Sequence, residues 1–282
     1  MNFTKMHGAG NDYVVIDARD VNLDWSRIAV ALCDRHMGVG ADGIILALNS
    51  TKANLRMRML NPDGSEAEMC GNGIRCLTKF AVEHSIVSME TTEITVETLS
   101  GIKSVNPLRH GHLVDRARVN MGPPQLQAEL IPVSVPELNP TDQIINFPLY
   151  IDDQQLYITC VSMGNPHAVA FIDTPVQEFQ LSKIGPIMEN HPIFPNKVNF
   201  SIANIVDKCK VSARVWERGA GETMACGTGA CAIAVAARAN DMECQELLIA
   251  LPGGDLRISW DGNGPVYMEG PVTQVYTGTW PD

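Results

Sequence analysis

One short element occurs twice in this chain, and the repeat limits the folds open to it. Residues 68–73 read EMCGNG and residues 224–229 read MACGTG, which sets Cys70 and Cys226 156 positions apart. At that spacing Glu66 matches Glu222, Gly71 matches Gly227, Asn72 matches Thr228 and Gly73 matches Gly229. Asn61 and Glu217 each stand nine residues ahead of their cysteine. Farther upstream, Gly10-Asn11 followed by Tyr13 to Asp17 matches Gly164-Asn165 followed by His167 to Val169 and Phe171 to Asp173, at a spacing of 154. Ordered anchors with a slowly drifting spacing mark a tandem duplication. The period is far longer than a solenoid unit, so the expectation is two similar domains.

The length of 282 residues suits two domains of ordinary size, and 45% hydrophobic residues are enough for packed cores. A net charge of −11 argues against nucleic acid as a partner, because phosphate contacts need clustered Lys and Arg. The segment from Met1 to Asp12 lacks the apolar core of a signal peptide. The longest small-apolar run, Ala230 to Ala239, is too short to span a bilayer. Eight cysteines without a secretory signal point to a reducing cytoplasm, with Cys33, Cys76, Cys160, Cys209, Cys231 and Cys244 as buried, inert thiols. No Cys-x-x-Cys occurs and no histidines have zinc spacing, so no metal is expected. His110-Gly111-His112 reads as a surface turn.

Short alternating or β-branched runs predict strands at 13–17, 43–48, 54–60, 93–98, 113–120, 156–161, 210–217 and 255–260. Helices are expected at 24–33, with Asp24 as cap, and at 73–83, with Ile74, Leu77, Phe80 and Ala81 on one apolar face. A third is expected at 177–188, ended early by Gly185-Pro186, and a fourth at 228–238, buried on every side. Many strands around few helices make the class α+β. The Gly122-Pro123-Pro124 stretch and the Pro-rich run to Pro140 mark the expected boundary.

Each Cys-Gly-x-Gly loop leads straight into a predicted helix. The first N–H groups of a helix have no internal acceptor, and its N-terminus carries partial positive charge. A thiolate there is expected to be stabilised, and a carboxylate can dock on the same N–H groups. Two such thiols suit proton transfer at the α-carbon of an amino acid, one removing a proton while the other supplies one to the opposite face. Three other uses fit the residues alone. These are a redox disulfide pair, a cysteine hydrolase with Cys226 as nucleophile and His167 as base, and a binding protein whose loops hold an anion. Asparagines in such loops otherwise serve turns and caps.

The chain resembles the diaminopimelate epimerase family. The resemblance is carried by residues 3–13 (FTKMHGAGNDY), 34–36 (DRH), 38–43 (GVGADG), 61–66 (NPDGSE), 69–73 (MCGNG), 164–167 (GNPH) and 217–230 (ERGAGETMACGTGA), in the family's order. It implies cofactor-independent conversion of LL- to meso-2,6-diaminopimelate, on the way to lysine and peptidoglycan. It also implies two domains, each a β-rich layer around a central helix, with the active site in a cleft between them and the last strand returning to the first domain. The domains are then 1–121 with 272–282, and 122–271. The resemblance makes Cys70 and Cys226 the acid/base thiols, and His167 and Glu217 the groups that tune them. Asn11, Asn61, Asn165, Asn199, Glu217 and Arg218 would bind substrate, with Gly71, Asn72, Gly227 and Thr228 supplying loop contacts. Many members have Gln where this chain has Gly43, so that side chain's contact is absent or replaced. A homodimer acting on a small amino acid, without metal, nucleic acid or membrane, is the expected form. A proline or hydroxyproline racemase with the same two thiols is the nearest rival.

Overall fold

The computed structural model describes residues 1–136, 138–152, 154–242 and 244–281. The chain divides into two compact units, Met1–Asn120 with Glu269–Asp282, and Met121–Met268. Both are strand-rich around helices, the expected α+β class.

The first unit starts with an antiparallel pair, Asn2–Gly8 and Asn11–Asp17. Ala9 and Gly10 turn between them with φ of 53° and 89°, which Gly10 adopts at no steric cost. Strand Asn11–Asp17 then runs parallel to Gly43–Leu48. A parallel pair needs a crossover, and helix α1 (Trp25–Cys33) supplies it. Asp24 caps α1 by accepting from the Arg27 N–H, as the sequence predicts. Gly43–Leu48 continues into Leu55–Leu60 and onward to the hairpin Gly101–His110 and Leu113–Gly122, whose turn holds exposed His110 and His112. The last strand, Thr273–Thr279, pairs antiparallel with Asn2–Gly8.

Strands Asn11–Asp17 and Gly43–Leu48 are covered on both faces, so their residues are buried on both sides. Val14, Ile16, Ile44 and Leu46 pack with Trp25, Ala29 and Leu32 of α1. The alternate residue Ile45 faces the other way, towards Gly73 of helix α2 (Gly71–Glu83). Every α2 residue from Gly71 to Val82 is buried, which departs from the expected single apolar face. Two of its polar side chains, Thr78 and Lys79, are satisfied close by. Thr78 donates to the Ile74 carbonyl, and Lys79 reaches Glu83 Oε1 at 2.7 Å and the Val114 carbonyl at 2.6 Å. A hydrogen-bonded polar group can be buried without the desolvation penalty that an unpaired one incurs.

The second unit repeats this plan. Gln154–Ser162 pairs with Pro166–Phe171, which runs parallel to Asn199–Asp207. Helix α3 (Leu181–Glu189) is the crossover and packs Leu181, Ile184 and Met188 on Ile158, Ala168, Phe200 and Ile202. Helix α4 (Gly227–Ala239) lies on the same strands and is buried almost throughout. Contrary to expectation, α3 runs through Gly185 and Pro186 to Glu189. Proline removes one backbone bond, while the anchors on either side hold the helix to the core. Gly185 lets Trp216 lie against it, since a Cβ there would meet the indole at 2.5 Å.

One cysteine expectation is corrected. Cys209 and Cys244 form a disulfide, with Cα atoms 5.7 Å apart, and both are half-exposed rather than buried. Cys209 sits at the tip of the hairpin Asn199–Asp207 and Lys210–Glu217, and Cys244 just precedes Glu246–Leu251. The parallel pairing of Lys210–Glu217 with Glu246–Leu251 brings the two together. Cys33, Cys76, Cys160 and Cys231 are buried and belong to no disulfide. Burial pushes the Cys33 and Cys76 thiols up to about 11 and about 12.

Candidate active site

Cys70 and Cys226 occupy the same position in their units, the N-cap of α2 and of α4, with extended backbone (φ −127° and −109°). The first-turn glycines are there for space. A Cβ on Gly73 would lie 2.9 Å from Ile45 Cδ1, and one on Gly229 would lie 3.3 Å from the Cys226 sulphur.

Around Cys70 the first unit assembles a polar chain. The Tyr13 hydroxyl lies 3.1 Å from Cys70 Sγ. Asn72, fully buried, donates its amide to Asn11 Oδ1 at 2.5 Å. Asn11 in turn donates to Asp42 Oδ2 at 3.4 Å, and Asp42 also accepts the Asp12 N–H at 3.1 Å. Arg35 bridges Asp12 and Asp42 at 2.7 Å each. Lys5 pairs with Asp12 and donates to the Gly40 carbonyl. Burial alone would raise the Asp12 carboxyl, but Arg35 and Lys5 hold it well below the usual carboxylate range. Asn11 and Asn72 thus come together, backed by fixed charges. Asn61 donates to Ser65 Oγ at 3.0 Å within its own turn.

Around Cys226 the partners differ. Its sulphur accepts the Gly229 N–H at 3.3 Å and lies 3.5 Å from Thr228 Oγ1. Asn165 donates to Thr228 Oγ1 at 3.3 Å, and its amide oxygen lies 2.9 Å from His167 Nε2. An amide oxygen only accepts, so His167 carries its proton on Nε2. Burial, with Arg218 assisting, holds His167 down to about 3, and the ring is neutral. Asn199, opposite His167 in the parallel register, donates to the Pro166 carbonyl at 2.9 Å and accepts the Arg218 N–H at 2.9 Å. Glu217 accepts the Thr223 hydroxyl at 2.5 Å.

The expected acidic thiol is not what the second loop produces. Burial pushes Cys226 well above its ordinary value, and the Glu217 carboxylate pushes the same way. Thr228 and the Gly229 N–H oppose them. A helix terminus contributes about 0.3–1 kcal/mol, under one pKa unit, whereas full burial can move a group by about 3–5 units. Burial wins, and Cys226 keeps its proton at neutral pH.

Sequence reasoning did not place Tyr13 or Glu189 in the site. Tyr13 was visible only as the counterpart of His167 in the repeat. Glu189, at the end of α3, accepts Trp216 Nε1 at 2.8 Å, the Gly219 N–H at 3.1 Å and Lys197 Nζ at 3.3 Å. It pins the turn that carries Glu217 and Arg218, and an acid at a helix end gives no sequence signal of that task.

The model of the family described as diaminopimelate epimerase matches residues 3–127 and 159–275. A diaminopimelate epimerase of Acetivibrio thermocellus is 45% identical over 281 residues, covering 99% of this chain and 98% of that protein. One from Methanococcus maripaludis is 46% identical over 280 residues, covering 99% of each. Among solved structures, a probable proline racemase of Agrobacterium radiobacter superposes with a TM-score of 0.70 at 13% identity, over 99% of this chain and 92% of that one. That likeness is one of fold.

Proposed function

The chain belongs to the diaminopimelate epimerase family, and we propose that Cys70 and Cys226 are the two acid/base groups of its reaction. The enzyme is an isomerase that converts LL- to meso-2,6-diaminopimelate, a step of lysine biosynthesis. The observation that carries the two-thiol reading is the shared placement of the cysteines, each the N-cap of a buried helix, with unlike hydrogen-bond partners.

In the mechanism we propose, Cys70 as thiolate takes the α-proton and Cys226 as thiol delivers one to the opposite face. Cys226 enters protonated because burial and Glu217 favour its neutral form. One proton leaves the substrate and one arrives, so the step balances without electron transfer. Negative charge develops on the reacting carboxylate, and the first-turn N–H groups of α2 and α4, at Gly71, Asn72, Gly227 and Thr228, are suited to hold it. Asn11, Asn61, Asn165, Asn199, Glu217 and Arg218 supply the remaining substrate contacts, and neutral His167 orients Asn165. Each unit is one epimerase half with one thiol. The same hydrogen cannot return, because the donating thiol exchanges with water between turnovers.

Among the described residues no helix is long and apolar enough to cross a membrane, and a cytoplasmic enzyme is the reading that fits lysine biosynthesis. A homodimer is supported by the exposed strand Thr273–Thr279, which presents Val275 and Tyr276. Light scattering of the purified chain tests it. For the chemistry, early product formed in deuterated water carries solvent deuterium at the inverted carbon, and folded Cys70→Ala and Cys226→Ala variants do not epimerise. Product that keeps its original α-hydrogen, or an active folded variant, rejects the two-thiol reading.

A further inference from the structure

We propose that Tyr13 is a positioning residue for Cys70, its phenol donating the hydrogen bond that holds the sulphur in place and stabilises it as the thiolate base. The proposal rests on the reading of Cys70 as a catalytic thiol.

The comparison between the two loops carries it. In α4 the N-cap sulphur takes the backbone donor of its own helix, the Gly229 N–H. In α2 the N-cap sulphur makes no such cap bond, and the hydroxyl of Tyr13 stands 3.1 Å from it. The phenol replaces the helix as donor. His167, the counterpart of Tyr13 in the repeat, bonds Asn165 instead of the thiol. The two thiols thus differ in donor, a phenol for Cys70 and a backbone N–H for Cys226, and the matched positions Tyr13 and His167 differ with them.

Tyr13 suits the task. It is 2% exposed and fixed in strand Asn11–Asp17, paired with Met6 on one side and Gly43 on the other. Among the described residues Cys70 is the hydrogen-bond partner of its hydroxyl. Burial and the neighbouring Cys70 push the phenol well above its ordinary value, so it keeps its proton and remains a donor. A thiol S–H is a weak donor and a phenol a good one, so the bond runs from oxygen to sulphur. Besides Tyr13, the charged and titratable groups acting here are Arg75 and Cys76 of α2, and Asp42 through Tyr13. None of these changes when the phenol oxygen alone is removed.

The experiment compares the full-length enzyme with its Tyr13→Phe variant. We expect an unchanged Tm and KM, and a kcat lower by roughly tenfold at neutral pH, the loss of one hydrogen bond to a charged group. The acidic limb of the kcat/KM profile moves to higher pH, and activity recovers as pH rises. Carbamidomethylation of Cys70 by iodoacetamide, followed by peptide mass, slows in the same variant. That readout needs no turnover, so it separates this proposal from the two-thiol reading, which an active Cys70→Ala enzyme would reject by itself. Placing 3-fluorotyrosine at position 13 keeps the fold and strengthens the donor, and moves the acidic limb to lower pH. Wild-type profiles and Cys70 alkylation in Tyr13→Phe, or no displacement with 3-fluorotyrosine, would overturn the proposal and leave Tyr13 a packing residue.

Discussion

His167 Nε2 lies 2.9 Å from the amide oxygen of Asn165, and the ring is fully buried. A neutral imidazole is therefore built into the second unit, and this has a consequence for stability. The folded His167 is held down to about 3, against an ordinary value of 6.5. Below about 6.5 the unfolded chain takes up a proton that the folded one refuses, so stability falls as pH drops from 6.5 towards 3 and is whole above 6.5. The slope from this group approaches about 1.4 kcal/mol per pH unit. Urea unfolding at several pH values checks this. A His167→Gln variant should lose that part of the slope; an unchanged slope would show that other groups cause it.

Glu189 gathers three donors, from Trp216, Gly219 and Lys197. Replacing it by alanine leaves the indole N–H and the Gly219 N–H without their acceptor, at about 1–3 kcal/mol for a buried group. The turn through Arg218 loosens with them. Glu189→Ala should therefore raise KM for diaminopimelate more than it lowers kcat, and should lower Tm. Steady-state kinetics with a melting curve decide the matter, and a normal KM in a folded variant speaks against the role given to Glu189.

The disulfide between Cys209 and Cys244 closes a loop with a sequence separation of 35. Chain-entropy arguments give such a loop about 4 kcal/mol. Alkylation before and after reduction, read by intact mass, should show the pair protected until a reductant is added. Reduction, or a Cys209→Ser substitution, should lower Tm by several degrees without abolishing activity. Free alkylation of both thiols in the native enzyme would remove the basis for this expectation.

The legible parts of the fold were those encoded locally. Asp24 capped α1 as read, and the two Cys-Gly-x-Gly loops opened α2 and α4. Strands such as Asn2–Gly8 and Asn199–Asp207 were not anticipated, because buried strands covered on both faces lose the alternation that betrays them. The length of α3 was hidden because tertiary anchors outweighed Pro186. The Cys209–Cys244 bond depends on a parallel pairing that no local pattern announces. In the candidate site, the motifs pointed to Cys70 and Cys226, and both stand at helix N-caps; the balance of forces on them was not legible. The helix N-terminus was visible at Cys226; the depth of its burial was not.

That balance is open to a direct test at Glu217. Its carboxylate is one of two groups raising the Cys226 thiol, the other being burial itself. Glu217→Gln keeps the shape of the side chain and an acceptor for the Thr223 hydroxyl, which Glu217 bonds at 2.5 Å, but removes the charge. Cys226 should then ionise at lower pH, because a repulsive neighbour is gone while burial is unchanged. Turnover in which Cys226 donates requires its proton, so the basic limb of the kcat/KM profile should move to lower pH. Because burial still favours the protonated thiol, the loss of kcat should be small at neutral pH and should grow as pH rises. Alkylation of Cys226, mapped by peptide mass, should begin at lower pH in the same variant. Both readouts must move together. A basic limb that stays in place while Cys226 alkylation shifts would mean that another group sets that limb, and the assignment of Cys226 as the acid would fall.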